Sequence, residues 1–190
     1  MRRVVCREFG RVERLAVEEV PEPIAGRGEV VVAVRAAGVT FVDALLCQGG
    51  YQIKPPLPFT PGGEVAGEIL AVGPEVGDAC RVGQRVLVSC GVGGFAERLA
   101  VPAEMARRLP AELSFGQGAA LVQAYATALF ALTRRATIER GQWLLVLGGG
   151  GGVGLAMVDV ARNLGAHVIA AASSDEKLAA SRAAGAEAGV

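Results

Sequence analysis

The segment LGGGGGVG, Leu147 to Gly154, sets five consecutive glycines between a short apolar run, QWLLVLG, and a stretch of helical periodicity. Glycine keeps more conformational freedom than any other residue, so such a run on its own reads as a flexible linker. The flanks decide against that reading. After the glycines, Val153, Met157, Val160, Ala161 and Leu164 recur at helical spacing, Gly165 supplies a C-terminal stop, and AHVIAAA follows as a second buried strand. A G-x-G-x-x-G string that follows a strand and opens a helix, inside a βαβ unit of about 30 residues, is the context in which a dinucleotide pyrophosphate is cradled.

Five glycines allow several frames, and the third motif glycine, which lets helix and strand pack closely, selects one. Only Gly154 can fill that place. Gly149 then takes the tight turn and Gly151 the close backbone approach, while Gly152 and Val153 complete the cofactor-binding turn at the positive end of the helix. An Asp or Glu about 20 residues further on holds the ribose 2′-hydroxyl in NAD-binding relatives of this motif. Here the second strand ends in AAASSDEK, so the first polar groups beyond it are Ser173 and Ser174, followed by Lys177 in a chain with two lysines. Hydroxyls and a cation suit a 2′-phosphate, which favours NADP(H). The plainer alternatives, Ser173 as a helix cap and Lys177 as a solvated helix residue, stay open, and Asp175 and Glu176 keep NAD open.

Before the glycine motif, up to about residue 110, the chain reads as short Val-, Ile- and Leu-rich strands divided by turn residues such as Pro21, Pro23, Gly26, Gly28, Gly73 and Pro74. An antiparallel, barrel-like unit is expected. Ser114 and Gln117 fit a capping box ahead of one long helix ending near Arg134 and Arg135. Ser173 and Glu176 suggest another box, opening a helix through Lys177 to Ala184, and AEAGV begins a third strand. Strand, glycines, helix, strand, helix, strand is half of a doubly wound nucleotide-binding sheet.

Several function classes are disfavoured. Nineteen basic residues balance nineteen acidic ones with no run of like charge, which leaves no footprint for nucleic acid or a membrane surface. Leu113 to Thr133 carries no charge and is long enough to imitate a membrane span, but polar and small residues interrupt it, and a buried helix is expected. MRRVVCREFG meets charge too early for a signal peptide, so a cytoplasmic protein is expected. Cys6, Cys47, Cys80 and Cys90 show no Cys-x-x-Cys spacing and the single histidine, His167, lies far from them, so neither a zinc cluster nor a disulfide scaffold is expected. His167 also opens an apolar strand pattern, which removes ordinary Ser-His or Cys-His catalysis.

The order and spacing of AAGVTFVDAL, GGYQIKPPLPFTPGGEVAGEILAVG, VGQRVL, AALVQAYATALFAL and GGGGGVGLAMVDVARNLGAHVIAAASSDEKLAA resemble the zinc-free quinone oxidoreductase (zeta-crystallin-like) branch of the medium-chain dehydrogenase/reductase superfamily. The resemblance covers the whole chain and implies an α/β protein: a GroES-like β-barrel catalytic domain over 1–120, followed over 121–190 by the first part of a Rossmann-type doubly wound parallel sheet. It places a nicotinamide in the cleft between the two domains, with Thr40 and Tyr51 as catalytic residues and Thr127 at the cofactor. Tyr51 would donate a hydrogen bond or proton to a developing oxyanion; it also reads as an amphipathic residue at a barrel edge. Thr127 either meets the carboxamide or satisfies its hydroxyl within its own helix.

In zinc-dependent relatives the triplet at Gly62 to Glu64 reads Gly-His-Glu and the position of Thr40 is a cysteine, both metal ligands there. With glycine and threonine instead, no metal is expected, and hydride goes to a conjugated acceptor such as a quinone or an α,β-unsaturated carbonyl. Many relatives carry asparagine at the place of Thr40, Gln84 replaces the usual aspartate of a Gly-Asp-Arg-Val turn, and Gly148 stands where alanine is common. An enoyl-thioester reductase is the alternative within the enzyme class; a cofactor-binding protein without turnover, or an inactive fragment, is the alternative outside it. Relatives continue past the third strand and return to complete the catalytic domain. The 190 residues are therefore expected to belong to a longer enzyme, homodimeric when complete.

Overall fold

The structure is a computed structural model that describes residues 1–190. Its backbone divides into two compact units, Met1–Ala120 and Leu121–Val190.

In the first unit, β1 (Arg2–Val5) and β2 (Ala16–Glu19) form an antiparallel ribbon with Val4 opposite Val17. Five further strands form an antiparallel sheet: β3 (Glu29–Ala37), β4 (Glu64–Val72), β5 (Arg85–Ser89), β6 (Arg98–Pro102) and β7 (Ala106–Arg108), in the spatial order β6-β3-β4-β5-β7. Val30, Val32, Val65, Ile69, Val86, Val88 and Val101 bury their side chains in one cluster. β-branched residues suit this pleated surface, and each such side chain removed from water stabilises by about 1.5–3 kcal/mol. The β3–β4 ladder shifts register at Val31/Val32 and again at Val34/Ala36, which bends the strand pair. Gly67 is required there: a Cβ on it would stand 1.9 Å from the carbonyl oxygen of Ala33.

Between β3 and β4 lies α1 (Phe41–Gln48), a helix that the valine-rich surroundings hide from the sequence pattern. It ends on Gly49 in the left-handed region at φ 71°. Its buried face joins Leu46 and Cys47 to Cys6 and Phe59, with Tyr51 packed alongside.

The long helix expected after Ser114 is two pieces. Ser114 caps α2 (Phe115–Ala119) in the anticipated box, its hydroxyl accepting from Gln117 N at 3.2 Å while Gln117 Oε1 accepts from Ser114 N at 2.9 Å. The helix stops there, at the boundary between the units. A second helical run covers Val122–Arg135, in which π-helical turns (Val122–Ala126 and Ala131–Arg135) flank α3 (Thr127–Phe130). Thr127 and Thr133 donate back to the carbonyls of Gln123 and Leu129 at 2.6 and 2.7 Å, the kind of side-chain competition that accompanies widened turns. No helix is long and apolar enough to cross a membrane.

In the second unit, β8 (Trp143–Leu147), α4 (Gly152–Asn163), β9 (His167–Ala171), α5 (Asp175–Ala184) and β10 (Ala188–Gly189) make a parallel sheet of order β10-β9-β8 with helical crossovers. Val146, Val158, Ala161, Val168 and Ala170 are buried in its core together with Leu132. On the other face of β8, Trp143, Leu145 and Leu147 remain exposed. The α/β class anticipated from the sequence is the one observed. One capping detail differs: the N-cap of α5 is Ser174 rather than Ser173, its hydroxyl accepting from Lys177 N at 3.4 Å, and the helix runs from Asp175 through Lys177 to Ala184.

Candidate functional site

The loop from β8 into α4 folds into a tight hairpin. Gly151 N donates to Gly148 O at 3.0 Å, Gly149 N to Ala171 O at 2.9 Å, and Leu155 N to Gly151 O at 2.8 Å. The left-handed residue is Gly148, at φ 72°, one place before the glycine assigned to the tight turn from the sequence. Gly154 is buried, and a Cβ there would stand 2.2 Å from Gly148 O, so its lack of a side chain lets α4 lie against the turn. A Cβ on Gly149 would meet that of Ala170 at 2.7 Å, which makes Gly149 a contact between turn and sheet. Gly151 is the N-cap of α4, and Gly152 and Val153 are exposed at its first turn. The first-turn amides of a helix have no intrahelical acceptor and carry the positive end of its dipole, so they are free to meet an anion.

Beside this turn is a cavity of about 540 Å³, lined among others by Gly148, Gly150, Gly151, Ala172, Ser173 and Lys177. That volume lies within the usual range for small-molecule sites, about 300–1,000 Å³. Lys177 Nζ donates to Ser173 Oγ at 3.2 Å, so the cation and one hydroxyl singled out from the sequence are joined at the cavity. Ser174 is spent on the helix cap. The cavity opens at the carboxyl ends of parallel strands, the ordinary place for a ligand in an open α/β sheet. Gly148 and Gly150 also belong to this site; among five equivalent glycines the sequence carried no signal to single them out. The residues therefore fit a phosphorylated nucleotide: a side-chain-free cradle, unpaired amides at a helix start, and a cation with a hydroxyl.

In the first unit, Thr40 precedes α1 and Tyr51 follows it. Asp43, buried in the first turn of that helix, accepts through Oδ2 from both Thr40 N and Thr40 Oγ1 at 2.8 Å, and through Oδ1 from Gly62 N at 3.1 Å. This ties the helix start to the Gly62–Gly63 loop. The signal was present in sequence as Thr-x-x-Asp, a capping spacing. Tyr51 is half-buried against the Cys6, Leu46, Cys47 and Phe59 cluster, and its hydroxyl has no hydrogen-bond partner in the protein. Cys90 Sγ lies 3.4 and 3.5 Å from the carbonyl oxygens of Gly62 and Gly63. Burial pushes its thiol up to about 11, and the charges of Asp43 and Glu64 act in the same direction. Thr127, in the second unit, is exposed with its hydroxyl proton given to Gln123 O.

A β-rich unit followed in the chain by a βαβ turn of this kind is the element order of the medium-chain dehydrogenase/reductase superfamily. The alcohol dehydrogenase GroES-like domain matches residues 26–111. A quinone oxidoreductase-like protein 2 homolog of Nematostella vectensis is 42% identical over 179 residues, 93% of this chain and 48% of the relative. Among solved structures, the quinone oxidoreductase of Thermus thermophilus, described with its NADPH complex, superposes with a TM-score of 0.86 at 38% identity, over 100% of this chain and 59% of its own. The Escherichia coli quinone oxidoreductase complexed with NADPH gives a TM-score of 0.94 at 29% identity, over 100% of this chain and 58% of its own. The chain belongs to the quinone oxidoreductase branch of that superfamily. It spans about half the length of the curated relatives it matches.

Proposed function

We propose that this chain carries the cofactor turn and the Thr40–Tyr51 part of the catalytic centre of an NADPH-dependent reductase acting on quinones or activated alkenes. The observation that carries the reading is the cavity beside the Gly148–Gly154 turn, where Lys177 and Ser173 are joined within reach of the cradle. NADP(H), when bound, supplies the hydride. Gly149, Gly151, Gly152, Val153 and Gly154 form the cradle and present the first amides of α4 to a pyrophosphate, and Ser173 and Lys177 meet the 2′-phosphate. Ser174 supports the same corner through its cap, and Thr127 keeps its oxygen lone pairs to accept a hydrogen bond from a carboxamide.

The hydrogen-bond inventory separates the roles of the two residues in the first unit. Thr40 has committed its hydroxyl proton to Asp43, so it offers a substrate only lone pairs and acts as an acceptor. Tyr51 has an uncommitted hydroxyl and is the donor to a developing oxyanion. With a hydroxyl at position 40 and no side chain at position 63, the reaction proceeds without a metal, and the acceptor must delocalise its own negative charge, as quinones and enones do. A homodimeric assembly and a cytoplasmic location accompany this reading.

The thermal midpoint of the chain tests the cofactor half: NADPH raises it and NADH raises it less, because a ligand selective for the native state stabilises that state. A larger shift with NADH overturns the assignment of Ser173, Ser174 and Lys177. NADPH oxidation with a quinone, a short enone and a crotonyl thioester tests the substrate half, with and without prior dialysis against a chelator. Turnover of the quinone or enone that survives chelation is expected; activity lost with the metal, or confined to the thioester, overturns it.

A further inference from the structure

Within the glycine run, backbone conformation demands glycine only at Gly148, the one member of Gly148–Gly152 with a positive φ. The remaining four are distinguished by what a Cβ would meet, which at Gly149 is the Cβ of Ala170 in the sheet, 2.7 Å away. At Gly152 it meets nothing within 4 Å, and at Gly151 its nearest neighbour is Gly148 O at 3.4 Å, an ordinary contact. At Gly150 it would stand 2.4 Å from Lys177 Cβ and 3.0 Å from Lys177 Cα. These atoms belong to the first turn of α5 and cannot swing aside as a flexible side-chain end can. Gly150 is thus required by another element, and specifically by the residue that carries the cavity's cation.

We infer that Gly150 determines the preference for a 2′-phosphorylated cofactor, because the missing side chain lets the first turn of α5 close onto the cradle and sets Lys177 at the cavity. The inference rests on the proposed role of Lys177 and Ser173. The first turn of α5 also holds Asp175 and Glu176, two carboxylates that repel a phosphate. Attraction therefore depends on the placement of one ammonium and the Ser173 hydroxyl, 3.2 Å apart. Adding a methyl group at 150 forces the turn and α5 apart by about 1 Å to reach ordinary contact. A charge-assisted pair on a phosphate is sensitive to displacements of this size. The pyrophosphate end of the site, made by α4, does not depend on Lys177, so NADH is expected to be little affected.

The test is the ratio of dissociation constants for NADH and NADPH, titrated by cofactor fluorescence on the 190-residue chain and on Gly150→Ala, Lys177→Ala and the double variant. The Gly150→Ala change is expected to reduce the ratio about tenfold, chiefly by weakening NADPH. Lys177→Ala should reduce it as much, and the double variant no further, since each removes the same contact. If Lys177→Ala leaves the ratio unchanged, the cofactor reading itself is overturned. If Lys177→Ala lowers it and Gly150→Ala does not, or if Gly150→Ala weakens both cofactors equally, the assignment of Gly150 is overturned while that reading stands. Should Gly150→Ala fail to fold, Gly150→Ala with Lys177→Gly removes the opposing Cβ. Recovery of folding with equal affinity for the two cofactors supports the inference, and continued failure to fold overturns it.

Discussion

Gly154 has its would-be side chain directed at a carbonyl oxygen, Gly148 O, only 2.2 Å away, with the Cα of Gly149 at 2.9 Å. Neither neighbour is a side chain that can rotate, so Gly154→Ala must open the turn or lift α4. It is expected to cost about 2–3 kcal/mol, measurable by urea denaturation, and to abolish the NADPH-dependent rise in thermal midpoint. A second expectation at this scale concerns the buried thiols. Burial, with Cys6 adding to the effect, pushes Cys47 up to about 11 from an ordinary 9.0, and burial does the same for Cys90. The native state thus holds its thiol protons more tightly than the unfolded chain. Their contribution is fully present below pH 9 and is lost as pH rises toward about 11. Tyr125, whose phenol is raised by its hydrogen bond to Asp159, adds in the same direction at the upper end of that window. Urea midpoints at pH 8, 9.5 and 10.5 are expected to fall steadily, and to fall less in a Cys47→Ala, Cys90→Ala variant compared with its own value at pH 8.

At the scale of elements, the start of α5 separates two adjacent serines that the sequence treats alike. Ser174 is the cap and Ser173 holds the lysine. Ser174→Ala is therefore expected to lower stability by about 1 kcal/mol. Ser173→Ala should leave the denaturation midpoint near that of the parent and weaken NADPH selectively. Which elements were legible in the sequence follows the same logic of distinct against degenerate signals. The β8–turn–α4–β9 unit announced itself because strand, glycines and helical period succeed one another in an order few other folds use. The frame at Gly154 was legible because only one glycine stands where the helix must touch the strand, whereas the positive φ at Gly148 was hidden among five identical residues. The expected helix through Ser114 to Arg135 failed at Ala120 because no glycine or proline marks that stop, and the alanine-rich pattern runs on through it. α1 went unread since it is short and flanked by β-branched residues, although Thr40 and Asp43 spelled its cap. The strand order β6-β3-β4-β5-β7 had no local signal at all, being set by long-range pairing.

At the scale of the whole molecule, the chain divides at Ala120/Leu121 into two compact units. Every residue assigned to the adenosine half of the cofactor lies between Gly148 and Lys177, inside the second unit. Adenosine 2′,5′-bisphosphate carries the 2′-phosphate and lacks the nicotinamide, so it engages that half alone. At a concentration of 100 Kd it is expected to stabilise the state it binds by about 2.7 kcal/mol. Amide hydrogen exchange resolves where this appears, since protection is gained only by amides that open through states unable to bind the ligand. The gain is expected over 148–155 and 172–178, at the turn, the first turns of α4 and α5 and the Ser173–Lys177 corner, with β3 to β6 unchanged. Adenosine 5′-monophosphate at the same concentration should protect 148–155 weakly and leave 172–178 as in the free protein, because it brings no charge for Lys177 to meet. Equal protection of both segments by the two nucleotides would place the 2′-phosphate away from Lys177, and protection spreading into β3 to β6 would show that the units open together rather than separately.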